Sequence, residues 1–173
     1  QVISSAIGSL AGPLHGGANQ KVVKMLDEIG AVSNVKDWLD KTLEKKQIVW
    51  GMGHREYSVK DPRANILTDL VKELFEEKSG KVTSMFETAM ELEKQCEERL
   101  SKKGVYANVD FYSGILYKEI GIPVDLFTTI FATSRTSGWL AHWIEQVSNN
   151  KIFRPTQKYN GSDHRSYKDI SDR

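Results

Sequence analysis

The chain has 173 residues, 39% of them hydrophobic and 27% charged, proportions that are typical of a soluble globular protein with one or two domains. Its 24 basic and 23 acidic residues nearly cancel, which excludes a strong overall field for attracting nucleic acid or a membrane surface. The single cysteine excludes an intrachain disulfide and a thiolate metal site, and it fits the reducing cytoplasm. An abrupt, apolar start without methionine favours a fragment of a longer chain.

Helical periodicity organises the first part of the sequence. Apolar residues recur at helical spacing from Gly17 to Ile29, and Gly30 ends this predicted helix. A second helix is predicted from Val35 to Lys46, with Ser33 or Asn34 as its cap. The segment IVWGMGHREYSVKDPR then contains two glycines and a proline, which predicts a loop or a short extended piece.

Two further helices are predicted in the middle of the chain. The first begins at Pro62 with Asp61 near its N-cap and is broken by Ser79-Gly80. Its apolar stripe comprises Ile66, Leu67, Leu70, Val71, Leu74 and Phe75. The inward face of the second comprises Val82, Met85, Phe86, Ala89, Leu92, Cys96 and Leu100. The cysteine is interpreted as a core residue rather than a nucleophile, because no histidine lies near it in sequence.

The last part of the sequence predicts two helices and an irregular end. One helix runs through Ile120, and a long one from about Val124 to Val147 is apolar on much of its surface. We expect the long helix to be buried on several sides. The segment FRPTQKYNG predicts a loop or a small hairpin, and the polar tail is expected to be mobile or to lie on a partner. These patterns predict an all-α protein.

Two histidines lie beside glycines at predicted turns. His15, in GPLHGGANQ, precedes an apolar helix, where a neutral imidazole can donate a hydrogen bond to a developing oxyanion. The alternative is a histidine that only caps the helix. His54 follows the Gly-x-Gly turn of GMGHREY, which either exposes backbone amides beside an imidazole or forms only a tight turn.

Asp110, in NVDFYSG, stands among small and aromatic residues. Aromatic neighbours that exclude water raise the pKa of a carboxyl and make it a better base near neutral pH. The alternative is an aspartate that caps a helix or stabilises its first turn. Considered by itself, Asp110 fits the helix cap better than the base.

Arg63, Arg135 and Arg154 are candidates for binding an anionic substrate. Arginine forks bind carboxylates bidentately, so three of them indicate a di- or tricarboxylate. The alternative for each is a structural ion pair. Phe131 stands one helical turn before Arg135 and on the same side of the helix.

In this order along the chain, the motifs GPLHGGAN, GMGHREY with DPRA, NVDFYSG, SRTSGW and RPTQKY resemble those of the citrate synthase family. The match runs from about Gly12 to Gly161, and GHREY with DPRA is more similar to the bacterial and archaeal type than to the mitochondrial one. The resemblance implies a multi-helical, all-α citrate-synthase-like fold. The implied parts are the end of a large-domain segment (1–15), the small domain (16–122), a C-terminal large-domain helix and loop (123–161) and a polar tail (162–173).

The resemblance also implies an activity. Citrate synthases are acyltransferases of the tricarboxylic acid cycle that condense acetyl-CoA with oxaloacetate and hydrolyse the citryl-CoA thioester to citrate and coenzyme A. No metal or permanently bound cofactor is implied, since the coenzyme A thioester is a substrate. The family has a further substrate-binding histidine and dimer-forming helices upstream, so we expect a homodimer for the full-length protein and an inactive fragment by itself.

Residue roles follow from the same resemblance. Asp110 matches the base that removes a methyl proton from acetyl-CoA, His15 matches the donor to the thioester oxygen, and His54 matches the residue that polarises the oxaloacetate carbonyl. The implied substrate-binding residues are Arg63, Arg135, Phe131 and Arg154, the last reaching into the neighbouring subunit's site. The implied coenzyme A site includes Gly51, Met52, Gly53 and Lys60.

Two other hypotheses stay open at the level of sequence. A 2-methylcitrate synthase would use propionyl-CoA with the same motifs, because the volume of the pocket decides between the two acyl groups. A non-catalytic helical interaction module would leave His15, His54 and Asp110 far apart.

Overall fold

The computed structural model describes residues 1–12, 16–78 and 83–173, with side chains described at all of these except 76–78. This part of the chain contains seven α-helices and no β-strand, which confirms the all-α prediction. The helices are α1 (Val2–Leu10), α2 (Ala18–Ile29), α3 (Val35–Glu44), α4 (Pro62–Lys78), α5 (Ser84–Leu100), α6 (Val109–Glu119) and α7 (Phe127–Ser148).

Helices α2 to α6 share one apolar core. Helix α6 packs against both α2 and α4, and α5 packs against α2 and α3. Gly114 lets α6 approach α2 closely, because a Cβ at this position would lie 2.6 Å from the backbone oxygen of Asn19. Fully buried side chains from these helices include Val22, Leu26, Leu39, Val71, Phe86, Leu92, Cys96, Phe111, Tyr112 and Ile115. The core interpretation of the cysteine is therefore confirmed.

Two helix ends follow the local sequence signals. Gly30 ends α2 with a φ of 75°, a conformation that costs glycine little. Pro62 is the first residue of α4, and the carboxylate of Asp61 accepts a hydrogen bond of 2.9 Å from the backbone N–H of Arg63. The predicted cap of α4 is thereby confirmed. The predicted break at Ser79-Gly80 lies outside the described residues, as does Val82.

Asn34 is the N-cap residue of α3, one of the two predicted candidates, but its side chain accepts no capping hydrogen bond there. The side-chain amide of Asn34 instead donates to the carbonyl of Ile29 at 2.9 Å, which ties the start of α3 to the end of α2. Helix α3 ends at Glu44, two residues before the predicted end, and Lys46 has a positive φ of 53°.

The apolar stripe of α4 is buried only in part, and the expectation that α7 is buried on several sides is wrong. On α4, Ile66 is 59% exposed and Leu70 is 44% exposed, because the helix turns Ala64, Val71 and Phe75 toward the core instead. On α7, Phe127 is the only buried residue, since the helix packs mainly on α1, α2 and the 3₁₀ turn that precedes it. An apolar face of α7 is consequently exposed, and it comprises Leu140, Trp143, Ile144 and Val147.

The two ends of the chain add one helix and an irregular segment. Helix α1 was not predicted, and it packs against α7. Residues 151–173 form no hairpin, and their only regular element is the 3₁₀ turn Ile170–Asp172. Within the described ranges, none of the helices combines the length and hydropathy needed to cross a bilayer. The domain boundaries implied by the family resemblance stay a prediction.

Candidate active site

A cleft of about 550 Å³ lies where the loop between α3 and α4 meets the start of α6 and the middle of α7. It brings together most of the site residues that the sequence predicts. Those that line it are Gly51, Met52, His54, Arg63, Asp110, Phe131 and Arg135. His54 and Asp110 therefore share one cleft, which argues against a non-catalytic module, whereas His15 lies outside the described residues.

The imidazole of His54 is held in a defined orientation. Its Nδ1 accepts a hydrogen bond of 3.0 Å from the backbone N–H of Glu56. Its ring stacks on Tyr57, with centroids 3.7 Å apart and planes 8° from parallel. Because Nδ1 is an acceptor, the proton of the neutral imidazole is assigned to Nε2. Nε2 is therefore the atom that can donate to an oxygen in the cleft.

Arg63 is held by a buried carboxylate. Its Nε and Nη2 donate to Asp61 at 3.1 and 2.8 Å, and the hydroxyl of Tyr57 donates to the same carboxylate at 2.8 Å. The hydrogen bond from Arg63 is the main cause that lowers the pKa of Asp61 from 3.8 to about 2. The Arg63 side chain remains 54% exposed, so it forms the predicted ion pair and still presents N–H donors to the cleft.

The Gly-x-Gly turn before His54 is a tight turn rather than a set of free amides. The N–H of Met52 donates to Val49, and the N–H of Gly53 donates to Tyr106 at 2.7 Å. Gly51 has a φ of 80°, and a Cβ there would lie 2.9 Å from Phe111. Only glycine fits this conformation and this close approach. The turn thus fixes the loop against the segment that leads into α6.

Asp110 occupies the first turn of α6 and lines the cleft. Its backbone N–H donates to the side-chain oxygen of Asn108, the N-cap residue, at 2.9 Å. Phe111 and Tyr112, its aromatic neighbours in sequence, are both fully buried in the core. Successive residues on a helix point about 100° apart, so aromatic neighbours in sequence need not cover the same side chain. The negative charge of Asp110 also contributes to the raised pKa of Tyr117, after burial.

Helix α7 presents a cation and an aromatic ring to the cleft. The guanidinium carbon of Arg135 lies 5.0 Å from the ring centroid of Phe131, so the two side chains share a side of the helix as predicted. In the described part of the chain, no carboxylate forms an ion pair with Arg135. The exposed guanidinium of Arg135 lines the same cleft as Arg63, the other candidate for binding a carboxylate. It therefore suits an anionic substrate.

Comparison with known proteins identifies the family. Residues 1–156 match the model of the citrate synthase C-terminal domain. The chain is 54% identical to citrate synthase from Acidithiobacillus ferridurans and 55% identical to that from Synechocystis, in each case over 99% of its length. It belongs to the citrate synthase family. It covers only 45% and 43% of these two curated relatives.

Solved citrate synthases have the same fold. The structure from Thermotoga maritima matches 99% of the chain with a TM-score of 0.83 and 43% identity, and the chain covers 46% of it. A ternary complex of the Thermoplasma acidophilum citrate synthase with carboxymethyl coenzyme A and oxaloacetate matches 98% of the chain with a TM-score of 0.84 and 38% identity. The chain covers 45% of that structure.

Two residues with roles implied by the citrate synthase resemblance lie apart from the cleft. The ammonium of Lys60 pairs with Glu93 at 2.7 Å and with Glu97 at 3.9 Å, and it lines a separate cavity. Arg154 lies in the exposed segment after α7. Their proposed roles in binding coenzyme A and a carboxylate stay predictions. Nowhere in the described ranges do three or more His, Cys, Asp or Glu side chains form a group that could hold a metal ion.

Sequence reasoning missed a groove beside the cleft. The groove has a volume of about 580 Å³ and shares Ile48 and Trp50 with the cleft. We call it the lysine groove, and its characteristic residues are Lys21, Lys24, Lys46, Trp38 and Trp50. The ammonium of Lys21 lies 3.8 Å from the Trp50 ring centroid. Helical spacing of the first two lysines was the only sequence signal for this groove.

Proposed function

We propose that the protein functions as a citrate synthase, condensing acetyl-CoA with oxaloacetate and hydrolysing the resulting thioester. One observation carries the proposal: His54, Asp110, Arg63 and Arg135 line a single cleft in a chain of this family. This reaction requires two guanidinium groups to bind the dicarboxylate and an acid to donate to its ketone oxygen. It also requires a base to remove a proton from the carbon acid.

Oxaloacetate binding is assigned to the two arginines and His54. Arg63, already oriented by Asp61, and Arg135 would bind the two carboxylates as forks. The Nε2–H of His54 would then donate to the ketone oxygen and stabilise the negative charge that grows there. Holding the ketone in a fixed position over the second substrate removes much of the entropic barrier to carbon–carbon bond formation.

Asp110 is assigned as the base. Its carboxylate removes a proton from the methyl group of acetyl-CoA, and the resulting enolate carbon attacks the ketone carbon of oxaloacetate. The new alkoxide takes a proton from His54, and water then cleaves the thioester to release coenzyme A and citrate. General base catalysis typically contributes ~10²–10⁴-fold, and each donor to the enolate oxygen, the role expected of His15, contributes on the order of 10²–10³-fold.

The lysine groove supports a coenzyme A thioester as the second substrate. The groove continues from the cleft through Ile48 and Trp50, and its lysines offer positive charge for phosphate groups. Its tryptophans offer flat apolar surface on which the nucleotide base of coenzyme A can stack. The Thermoplasma relative was solved with carboxymethyl coenzyme A and oxaloacetate together. We assign the Gly51–Gly53 turn to the junction between the two ends of this substrate.

We further propose a cytoplasmic homodimer as the working form and the tricarboxylic acid cycle as its setting. The exposed apolar face of α7 supports association with further protein surface. Arg154 lies in a fully exposed segment, which is consistent with a role in a neighbouring subunit's site.

Replacing Asp110 with asparagine tests the proposal. The assay uses a full-length enzyme, meaning this chain joined to the upstream half found in its relatives. Asp110→Asn should lower kcat by ~10²-fold or more while oxaloacetate still binds, as measured by calorimetry. Asp37→Asn is the matched control, because Asp37 also lies in the first turn of a helix, α3, and does not line the cleft.

Near-native turnover by Asp110→Asn would show that the base assignment is wrong. Turnover of propionyl-CoA in place of acetyl-CoA by the unsubstituted enzyme would show that the acyl group is wrongly assigned.

A further inference from the structure

Three hydrogen bonds of Asn108 join the start of α6, which carries Asp110, to the turn that precedes His54. Its side-chain oxygen accepts from the N–H of Asp110 at 2.9 Å. Its side-chain amide donates to the carbonyl of Gly53, the residue before His54, at 2.9 Å. Its backbone N–H donates to the carbonyl of Gly51, also at 2.9 Å. One residue therefore contacts both the start of the helix that carries the base and the turn that carries the imidazole.

We propose that Asn108 is a positioning residue that sets the placement of His54 relative to Asp110. The inference rests on the proposed function, because the two side chains must act on neighbouring atoms of two substrates. Asn108 itself lines the cleft, but its backbone N–H and both ends of its side-chain amide are already bonded to the protein groups named above. Its role is to fix the distance between the acid and the base.

The hydrogen bond from the Asn108 side chain to Gly53 is distinct from the backbone contacts around it. Met52 and Ala107 form an isolated antiparallel bridge, and Gly53 donates to Tyr106. These contacts hold the turn as far as Gly53, and the chain then leaves toward His54 on the exposed side. Among the described hydrogen bonds that join the α6 segment to this turn, the one from Asn108 to the Gly53 carbonyl lies nearest to His54 in sequence.

The chemistry of the two partners specifies an asparagine. The N–H of Asp110 requires an acceptor and the carbonyl of Gly53 requires a donor, so the two ends of one primary amide satisfy both. Serine or aspartate would keep the helix cap, since both accept from backbone N–H groups at this position. Aspartate has no donor, and it would turn a carboxylate oxygen toward the Gly53 carbonyl. Serine has a hydroxyl donor, but its oxygen lies one bond nearer the backbone than the amide nitrogen, so the 2.9 Å bond to Gly53 is lost.

The experiment compares Asn108→Ser with Asn34→Ser in the full-length enzyme. Both changes remove one 2.9 Å hydrogen bond from an asparagine amide to a backbone carbonyl, but Asn34 bonds Ile29, away from the cleft. A misplacement of ~1 Å at a catalytic group can cost on the order of 10²-fold in rate. We therefore expect Asn108→Ser to lower kcat ~10- to 100-fold.

The control and the binding measurements separate positioning from folding. Asn34→Ser should keep kcat within about 2-fold of wild type, with a comparable shift in Tm. The KM for oxaloacetate should change less than about 3-fold in Asn108→Ser, because Arg63 and Arg135 lie on α4 and α7 rather than on the tethered turn. Asn108→Asp is the second variant and decides the matter if the serine variant does not fold. Its kcat should fall at least as far.

Three outcomes distinguish the possibilities. Native kcat in a folded Asn108→Ser or Asn108→Asp enzyme would overturn the positioning role. Equal losses in Asn108→Ser and Asn34→Ser that follow the folded fraction would overturn it as well. An unsubstituted enzyme that forms no citrate would instead refute the proposed function, which the positioning role presupposes.

Discussion

Replacing Asp61 with asparagine should remove a measurable part of the stability of the fold. Asp61 is 2% exposed, and its carboxylate accepts hydrogen bonds from Arg63 and Tyr57. These donors, Arg63 first, lower its pKa from 3.8 to about 2. At ~1.36 kcal/mol per pKa unit, ionised Asp61 contributes about 2 kcal/mol to the free energy of unfolding.

The sign of the pH dependence follows from the direction of this pKa change. A carboxyl whose pKa is lower in the folded than in the unfolded state stabilises the fold above the unfolded pKa, and this stabilisation is lost as the pH falls through the folded pKa. Asp61→Asn should therefore lower the free energy of unfolding by about 2 kcal/mol at pH 7. The difference from wild type should fall below about 1 kcal/mol at pH 2.5.

Urea unfolding followed by far-ultraviolet circular dichroism at pH 7, 4 and 2.5 measures this difference. Asp27→Asn is the control, because Asp27 pairs with Lys118 at 2.9 Å but the two side chains are 56% and 39% exposed. Surface pairs of this kind contribute at most about 1 kcal/mol. A loss in Asp61→Asn that is equal at pH 7 and pH 2.5, or no larger than the loss in Asp27→Asn at pH 7, would refute the assignment of stability to this ion pair.

Two further predictions concern a strained lysine and the buried thiol. Lys46 has a φ of 53° at the end of α3, so Lys46→Gly should raise the free energy of unfolding by up to about 1 kcal/mol. A destabilised variant in urea unfolding would contradict the strain. Under the proposed function, the same change should raise the KM for acetyl-CoA, because it removes a charge from the lysine groove. Burial raises the pKa of Cys96 from 9.0 to about 12. A thiol reagent at pH 8 should therefore leave the native chain unmodified, but it should titrate one thiol when the chain is unfolded in guanidinium. Rapid modification of the native chain would contradict the burial.

The core helices could be predicted because their apolar residues recur at helical spacing beside recognisable ends. Gly30 and Pro62 marked the boundaries of α2 and α4 in the sequence and in the structure. Helix α1 lacked such signals, since Gln1 makes no capping hydrogen bond and small residues interrupt its apolar pattern. Side-chain burial was harder to predict, as Ile66 and Leu70 show, because periodicity does not say which part of a wide stripe a neighbouring helix covers.

Several residues that line the cleft could be named from motifs, but their surroundings could not. Asp110 lies in the cleft, yet its aromatic neighbours in sequence point into the core. The contacts that orient the site join a side chain to residues of other segments, as when Asn108 bonds Gly53. Such pairings leave no periodic trace in one sequence. Even the local bond from Tyr57 to Asp61 depends on how an irregular loop folds.

The arrangement of the arginines connects the fold to the proposed reaction. Arg63 is fixed by Asp61 to the unit that also carries His54 and Asp110, because the loop, α4 and α6 are joined by the hydrogen bonds described above. Arg135 lies on α7, which follows the predicted boundary between residues 122 and 123. A dicarboxylate that binds both arginines would therefore bridge the two units. In the proposed reaction, oxaloacetate bound by both arginines would draw α7 and the loop that carries His54 together around the substrate.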